Sequence, residues 1–199
     1  IPSFPSPNTK NNMLNFTYQG GGPVGTALVS LARLGANVGF IGKFGDNEFS
    51  YLSLDEFKKE GIDTSLMIKE KNTGPLITVI IVEKENGNRT IFITEQMFSK
   101  IKKEEVSKEI IASTKFLHLD EFQIEASIVA ASYAKELGVK VVLDLESPDK
   151  QNLLSLIKLS DFLIIPENFA TGFSKKNIEK SAEFFLSLGP ECIVITQGE

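Results

Sequence analysis

Short apolar runs alternate along this chain with longer segments in which apolar residues recur every three or four positions. The first pattern predicts buried strands, and the second predicts helices packed against them. Helices are predicted over residues 24–34, 102–111, 124–137, 150–158 and 175–188, with a further helix that follows a loop at Gly42–Gly45 and runs to Glu60. Strands are predicted over 38–41, 115–119, 139–143, 162–165 and 192–196. Strand-helix-strand units in series predict an α/β fold with a doubly wound, mainly parallel sheet flanked by helices.

The segment from residue 62 to residue 96 breaks this alternation. Residues 66–68, 76–82 and 90–94 resemble strands, and Asn86-Gly87 is a strong hairpin signal. No helix is predicted among them, so we expect a small antiparallel β lid or a dimer surface. Near the start of the chain, Leu14, Phe16 and Tyr18 alternate with polar residues, which favours one more half-buried strand. We expect one α/β domain over residues 1–199, with a lid formed by about 1–20 and 62–96.

Composition and charge exclude several classes of function. The 199 residues are 42% apolar and 24% charged, which is typical of a chain that buries a core. The net charge of −5 argues against nucleic acid as a partner, because phosphate binding requires a basic face. Neither a membrane-spanning apolar run nor a leader is recognised, so a cytoplasmic protein is expected. One cysteine and one histidine exclude a disulfide framework and a Cys/His zinc site.

Candidate ligand-binding residues follow the predicted strands, because ligands of such sheets bind beyond the carboxyl ends of the strands. The residues at these positions are Asp120, Asp144 with Glu146, Glu167, and Thr196 with Gly198. Asp120 could accept hydrogen bonds from sugar hydroxyls or cap the following helix. Asp144 and Glu146 could hold Mg²⁺ partly through water, or lie in a solvated loop.

Other residues have a functional and a structural interpretation. The run Gly20-Gly21-Gly22 before a predicted helix could approach a ligand closely or could form only a turn. Asp46 could simply be the N-cap of the second helix. Arg89, in a chain that mostly uses lysine, suggests an anion or carboxylate contact or a solvated hairpin residue. His118 is interpreted as a hydrogen-bonded histidine within the sheet.

The order of these motifs carries more information than any one of them. The segments in question are residues 21–27 (GGPVGTA), 31–35 (LARLG), 40–46 (FIGKFGD), 60–64 (EGIDT), 73–74 with 87–90, 166–168 (PEN) and 194–198 (VITQG). Together they resemble the PfkB family of ribokinase-like sugar kinases over essentially the whole chain. The motif style is similar to the branches that include sulfofructose kinase and ketohexokinase.

The resemblance implies transfer of the ATP γ-phosphate to a sugar hydroxyl, with Mg²⁺ as the metal. It assigns substrate binding to Gly21, Gly22, Thr26 and Asp120, and nucleotide binding to Glu167, Thr196 and Gly198. From the residues themselves we add Arg89 to the substrate-binding set and Asp144 and Glu146 as metal ligands. The hairpin would close over the sugar, and it could also form a homodimer. No nucleic acid or membrane partner is implied.

Three departures from the family pattern qualify the resemblance. Thr26 stands where ribokinase has a sugar-binding asparagine, so ribose is not a safe substrate assignment. Ala170 stands where the family has a glutamate that supports the metal. A sugar-binding aspartate is expected before Ile1, and the catalytic aspartate is expected beyond Glu199, so no catalytic residue is assigned within the chain. The alternatives are a non-catalytic sugar- or nucleotide-binding protein and a dinucleotide-binding oxidoreductase, although the glycine spacing argues against the latter.

Overall fold

The structure is a computed structural model that describes residues 1–147 and 152–198. The chain forms two compact units, residues 1–99 and 100–199. Both segments assigned to the lid belong to the first unit, while the single domain and the lid boundaries stay predictions. None of the helices in the described part of the chain is both long and apolar enough to span a membrane.

Two helices of the first unit, α1 (Pro23–Arg33) and α2 (Glu48–Lys59), confirm the predicted pattern. Each is followed by a glycine with positive φ, 89° at Gly35 and 74° at Gly61, the left-handed conformation in which many helices end. The interpretation of Asp46 as the N-cap of α2 is wrong. The N-cap is Asn47, whose side chain accepts a hydrogen bond from the backbone N–H of Ser50. The Asp46 carboxylate lies instead 2.8 Å from Nζ of Lys69.

Two strand predictions in the first unit need correction. The strand expected at 38–41 is reduced to a single parallel bridge between Gly39 and Asp63, and regular pairing begins only where β1 (Lys43–Phe44) lies beside β2 (Ile68–Lys69). The strand expected around Leu14, Phe16 and Tyr18 is absent from the described residues, and all three side chains are exposed. Alternation alone does not make a strand, because a strand also needs a hydrogen-bonded neighbour.

The predicted hairpin is confirmed. Strand β3 (Ile77–Val82) pairs in antiparallel register with β4 (Arg89–Thr94), and Gly87 in the connecting turn has a φ of 74°. Residues 1–4 lie at the turn end of this hairpin, where the backbone N–H of Lys84 donates to the carbonyl of Ile1 at 2.8 Å. Most side chains of both strands are exposed, including Val79 and Phe92.

A four-stranded parallel sheet organises the second unit, as predicted. Its order is β5-β6-β7-β8, so each strand pairs with the next one in sequence. The strands are β5 (Phe116–Leu119), β6 (Lys140–Asp144), β7 (Phe162–Pro166) and β8 (Cys192–Thr196). The helices are α3 (Lys108–Ala112), α4 (Ile124–Leu137), α5 (Leu153–Leu159), α6 (Glu167–Ser174) and α7 (Ile178–Leu186), with a 3₁₀ turn at Lys103–Glu105.

Alternate residues of the sheet supply the core of this unit. The buried side chains on the strands are Val141, Leu143, Leu163 and Ile165, and they pack in one cluster with buried residues of all five helices, among them Ile111, Ala131, Leu156, Phe169 and Phe185. Parallel strands must be covered by helices to bury such side chains. The expected α/β fold with a parallel sheet flanked by helices and a small antiparallel sheet is therefore confirmed.

Two helix predictions in this unit need correction. The helix expected over residues 102–111 is divided, because the side chain of Ser107 accepts from the N–H of Ile110 and starts α3 afresh. The helix expected over 175–188 begins later, at Ile178, since Lys175 adopts a left-handed φ of 58° and ends α6. Helix α6 itself was not predicted. Residues 150 and 151 of the helix expected over 150–158 lie outside the described residues, and the helix begins at Leu153.

Candidate functional site

Carboxylates collect where β5 and β6 end. Leu119 pairs with Leu143, so Asp120 and Asp144 follow at neighbouring positions of the same sheet edge. Sequence reasoning named Asp120, Asp144 and Glu146 but did not select Glu121. Glu121 is only 3% exposed, and its Oε2 accepts a hydrogen bond from the backbone N–H of Glu146 at 3.3 Å. This bond ties the segment after β5 to the segment after β6.

The surroundings of Asp144 disfavour its negative charge. Burial raises the pKa of the Asp144 carboxyl, and the nearby carboxylates of Glu146 and Glu121 raise it further. A cation would relieve this repulsion, so the donor set fits magnesium, which takes one or two carboxylates and keeps several waters. Within residues 1–147 and 152–198, no three His, Cys, Asp or Glu side chains converge closely enough to hold a metal ion by themselves.

Asp120 has a local structural role, but it is not the one considered from the sequence. Its Oδ1 accepts from the backbone N–H of Phe122 at 3.0 Å, forming a turn directly after β5. The N-cap of α4 is Gln123, so Asp120 does not cap that helix. One carboxylate oxygen thus shapes the turn that presents the side chain at the sheet edge.

A groove of about 580 Å³ lies beyond the carboxyl ends of β7 and β8. It is lined by Pro166, Glu167, Asn168, Thr171, Thr196, Gln197 and Gly198. The structure therefore brings together all three residues assigned to the nucleotide, Glu167, Thr196 and Gly198. It adds Asn168 and Thr171, which sequence reasoning did not select.

Helix α6 positions one wall of this groove. Its first residue is Glu167, and its opposite side is fixed to α7 by aromatic packing, with ring centroids of Phe169 and Phe185 6.2 Å apart. Ala170 is fully buried in the core cluster. Asn168 and Thr171, the polar residues on either side of buried Phe169 and Ala170 in the sequence, line the groove. Ala170 does not line it. The spacing of Phe169 and Phe173 was the sequence signal that could have revealed this helix.

The glycine run of the first unit forms the approach to α1. Gly22 is the N-cap, with φ 82° and ψ 154°, a conformation that is essentially restricted to glycine. Gly21, Gly22 and Thr26 are exposed, and the N–H of Thr26 donates to the carbonyl of Gly22 at 3.0 Å. The α1 N-terminus therefore offers backbone N–H groups, a hydroxyl and no bulky side chain to a polar ligand.

Two other residues singled out from the sequence lie within strands. Arg89 is the exposed first residue of β4, opposite Val82 in the hairpin. His118 lies in β5 opposite Val142, and its Nε2 is buried without a hydrogen-bond partner among the described residues. The expected hydrogen bond of His118 is therefore not found at Nε2 within the described part of the chain. Burial lowers the pKa of His118.

Comparison with known proteins shows that this chain is similar to sugar kinases. Ribokinase of Staphylococcus aureus strain COL is 30% identical over 191 residues, covering 90% of this chain and 62% of that protein. The 5-dehydro-2-deoxygluconokinase of Clostridium tetani is 33% identical over 157 residues, covering 71% of this chain and 45% of that protein. This chain therefore spans about half to two thirds of the length of these curated relatives.

Solved structures of similar fold include ribokinase from Thermotoga maritima, with a TM-score of 0.81 and 21% identity over 100% of this chain and 67% of that chain. An E. coli protein described as a ribokinase II, solved in complex with ATP and Mg²⁺, has a TM-score of 0.77 and 18% identity over 97% of this chain and 67% of that one. At these identities the likeness shows the fold. Residues 2–199 match the pfkB family of carbohydrate kinases, and the chain therefore belongs to that family.

Proposed function

We propose that the complete protein is a carbohydrate kinase that uses ATP and Mg²⁺ to phosphorylate a sugar hydroxyl. The observation that carries the proposal is the groove at the ends of β7 and β8, which in a pfkB-family chain gathers Glu167, Thr196 and Gly198. The E. coli neighbour in complex with ATP and Mg²⁺ supports the choice of nucleotide and metal. A cytoplasmic location belongs to the same proposal.

The roles of the residues follow from their positions. Gly198 and Thr196 would lie along the nucleotide, since a glycine with φ 70° and a threonine hydroxyl leave a small polar surface for phosphates. Glu167 would face the phosphates from the first turn of α6. Magnesium would supply charge neutralisation of the transferring phosphoryl group, with Asp144 and Glu146 on its protein side.

Sugar binding is assigned to the glycine approach to α1 and Arg89 in the first unit, and separately to Asp120 in the second unit. Backbone N–H groups and the Thr26 hydroxyl can hydrogen-bond sugar oxygens, and the Asp120 carboxylate can accept from sugar hydroxyls. Charge-assisted hydrogen bonds of this kind orient a hydroxyl for reaction. The β3–β4 hairpin would close over the sugar and exclude water.

The non-catalytic alternative was motivated by Ala170, and the structure weakens that motive. Ala170 packs in the apolar core, so its identity does not change the lining of the groove. Both curated relatives described above bear the names of kinases. The kinase is therefore the favoured proposal.

The test is a coupled assay of ADP release by the complete protein with a panel of furanoses, ketoses and polyols. We expect at least one sugar to stimulate ATP turnover, and we expect turnover to stop when EDTA removes Mg²⁺. A folded preparation that no sugar stimulates would contradict the proposal.

A homodimer through the hairpin belongs to this proposal as well. Strands β3 and β4 expose apolar side chains, among them Val79, Phe92 and Ile93, at about half of their full accessibility. Apolar surface of this kind is typical of an interface. Light scattering should give twice the monomer mass for the wild type and the monomer mass for Phe92→Glu. A monomeric wild type would contradict the dimer without affecting the kinase proposal.

A further inference from the structure

Thr73 is a polar residue with no exposed surface, and it lies just before the hairpin. Its Oγ1 donates to the carbonyl of Met97 at 3.1 Å and accepts from the backbone N–H of Ser99 at 3.1 Å. Thr73 precedes β3, whereas Met97 and Ser99 follow β4. One buried hydroxyl therefore joins the two chain segments through which the hairpin is attached.

A second set of hydrogen bonds joins the same point to α2. Asn47, the N-cap of α2, donates from Nδ2 to the carbonyl of Thr73 at 2.5 Å. The backbone N–H of Gly74 donates to the carbonyl of Met97 at 2.6 Å. We call Asn47, Thr73, Gly74, Met97 and Ser99 the hairpin clamp.

The rest of the hairpin is held more weakly. The bonds that link its turn end to residues 1–4 are exposed, such as that from the N–H of Phe4 to the Glu83 carboxylate at 3.1 Å. Exposed hydrogen bonds compete with water and contribute little to orientation, whereas a buried hydroxyl that loses its partners leaves them unsatisfied. The orientation of the hairpin relative to α2 is thus determined mainly by the hairpin clamp.

We propose that Thr73 is a positioning residue for sugar binding: its hydroxyl holds together the two chain segments through which the β3–β4 hairpin, which carries Arg89, is attached, and its backbone carbonyl holds this junction to Asn47 of α2. The inference rests on the proposed function, since it assigns the hairpin to the sugar. Thr73 does not contact substrate in this proposal. It acts through the orientation of the hairpin, so its loss should affect the sugar and not ATP.

The test compares Thr73→Val with Thr73→Ser in the complete protein. Valine matches the shape of threonine but lacks the hydroxyl, whereas serine keeps it. We expect Thr73→Val to raise the KM for the sugar by about three- to tenfold, the effect of one lost hydrogen bond, with the KM for ATP within about twofold of wild type. Thr73→Ser should restore the sugar KM to within about twofold of wild type.

Amide hydrogen exchange gives a readout that does not depend on activity. In Thr73→Val the N–H groups of Ser99 and of the hairpin strands should exchange about tenfold faster or more, while those of α1 are unchanged. A sugar KM like that of wild type, equal changes for both substrates, or no rescue by serine would overturn the proposal. If the wild type shows no kinase turnover, the proposed function fails, and the clamp is then judged by exchange alone: unchanged exchange of the hairpin would overturn it.

Discussion

A Cβ atom placed on Gly45 would collide with the carbonyl oxygen of Thr73. The obstacle is backbone, and it is fixed by the Asn47 side chain, so it cannot move aside. Gly45 is therefore required for close approach of two backbone segments and not for an unusual φ.

We expect Gly45→Ala to lower the free energy of unfolding by about 3 kcal/mol, the upper range for overpacking. The matched control is Gly172→Ala in α6, where an added Cβ meets nothing within 4 Å. That control should stabilise by about 0.5–1 kcal/mol, because alanine is the better helix former. Urea denaturation measures both, and equal effects of the two variants would contradict the assignment.

The groove at β7 and β8 can be tested with two glycines of the same conformation. Gly198 and Gly138 both have φ of 70° with open space around them, but only Gly198 lines the groove. Alanine at either position costs about 1–2 kcal/mol of backbone strain. We expect Gly198→Ala to raise the KM for ATP several-fold and Gly138→Ala to leave it unchanged. Similar ATP kinetics in the two variants would exclude Gly198 from the nucleotide site.

The charge of Asp120 and its hydrogen bond in the turn can be tested separately. Asp120→Asn retains an oxygen that can accept from the N–H of Phe122, whereas Asp120→Ala removes it. If the carboxylate binds sugar hydroxyls, both variants should weaken sugar binding by roughly 1.5–3 kcal/mol, and only alanine should also lower Tm. Calorimetry and thermal unfolding distinguish the two effects. Unchanged sugar affinity in Asp120→Asn would show that the Asp120 carboxylate forms the turn and does not bind the sugar.

The raised pKa of Asp144 makes its contribution to stability depend on pH with a definite sign. Between the ordinary aspartate pKa, about 3.9, and the raised value, the folded state binds more protons than the unfolded state. Stability therefore falls as pH rises through that window. Asp144→Asn should have a higher Tm than wild type at pH 7, and the difference should disappear as pH is lowered through the window.

Asp63 provides a control of opposite sign for this experiment. The backbone N–H of Ser65 holds the pKa of Asp63 below its usual range, so that carboxylate stabilises at neutral pH and the stabilisation is lost as pH falls through the folded pKa. Asp63→Asn should therefore lower Tm at pH 7 and lose its effect in acid. Shifts of the same sign in Asp144→Asn and Asp63→Asn would contradict the electrostatic account of Asp144.

The sequence was informative where one local signal agreed with the tertiary structure. Helix α4 occupies the predicted residues 124–137 because its periodicity ends at Gly138, which takes the left-handed conformation. Prediction from the sequence failed where contacts with other elements determine the local structure. The alternating residues around Phe16 pair with no strand in the described part of the chain. Helix α6 was not predicted because it follows Pro166 and has a polar first turn, and because it is stabilised by phenylalanine packing against α7.

The candidate site shows the same division. Asp144, Glu167 and Thr196 could be predicted because strand ends are visible in the sequence, and the rule for parallel sheets then places them at one edge. Glu121 could not be selected, because its burial and its bond to Glu146 depend on how β5 and β6 align. Asn168 and Thr171 could not be selected either, since their exposure to the groove depends on the rotation of α6.

The order β5-β6-β7-β8 has a consequence for how this sheet forms. In the described sheet, β6, β7 and β8 each pair with the strand that leaves the ribosome just before them, so each finds its partner already made. Pairing between sequence neighbours keeps the sequence separation of the contacts low for a parallel sheet, and folding slows as that separation grows. We therefore expect the sheet to grow during synthesis from β5 outward, with each later strand pairing along the free edge of the strand before it.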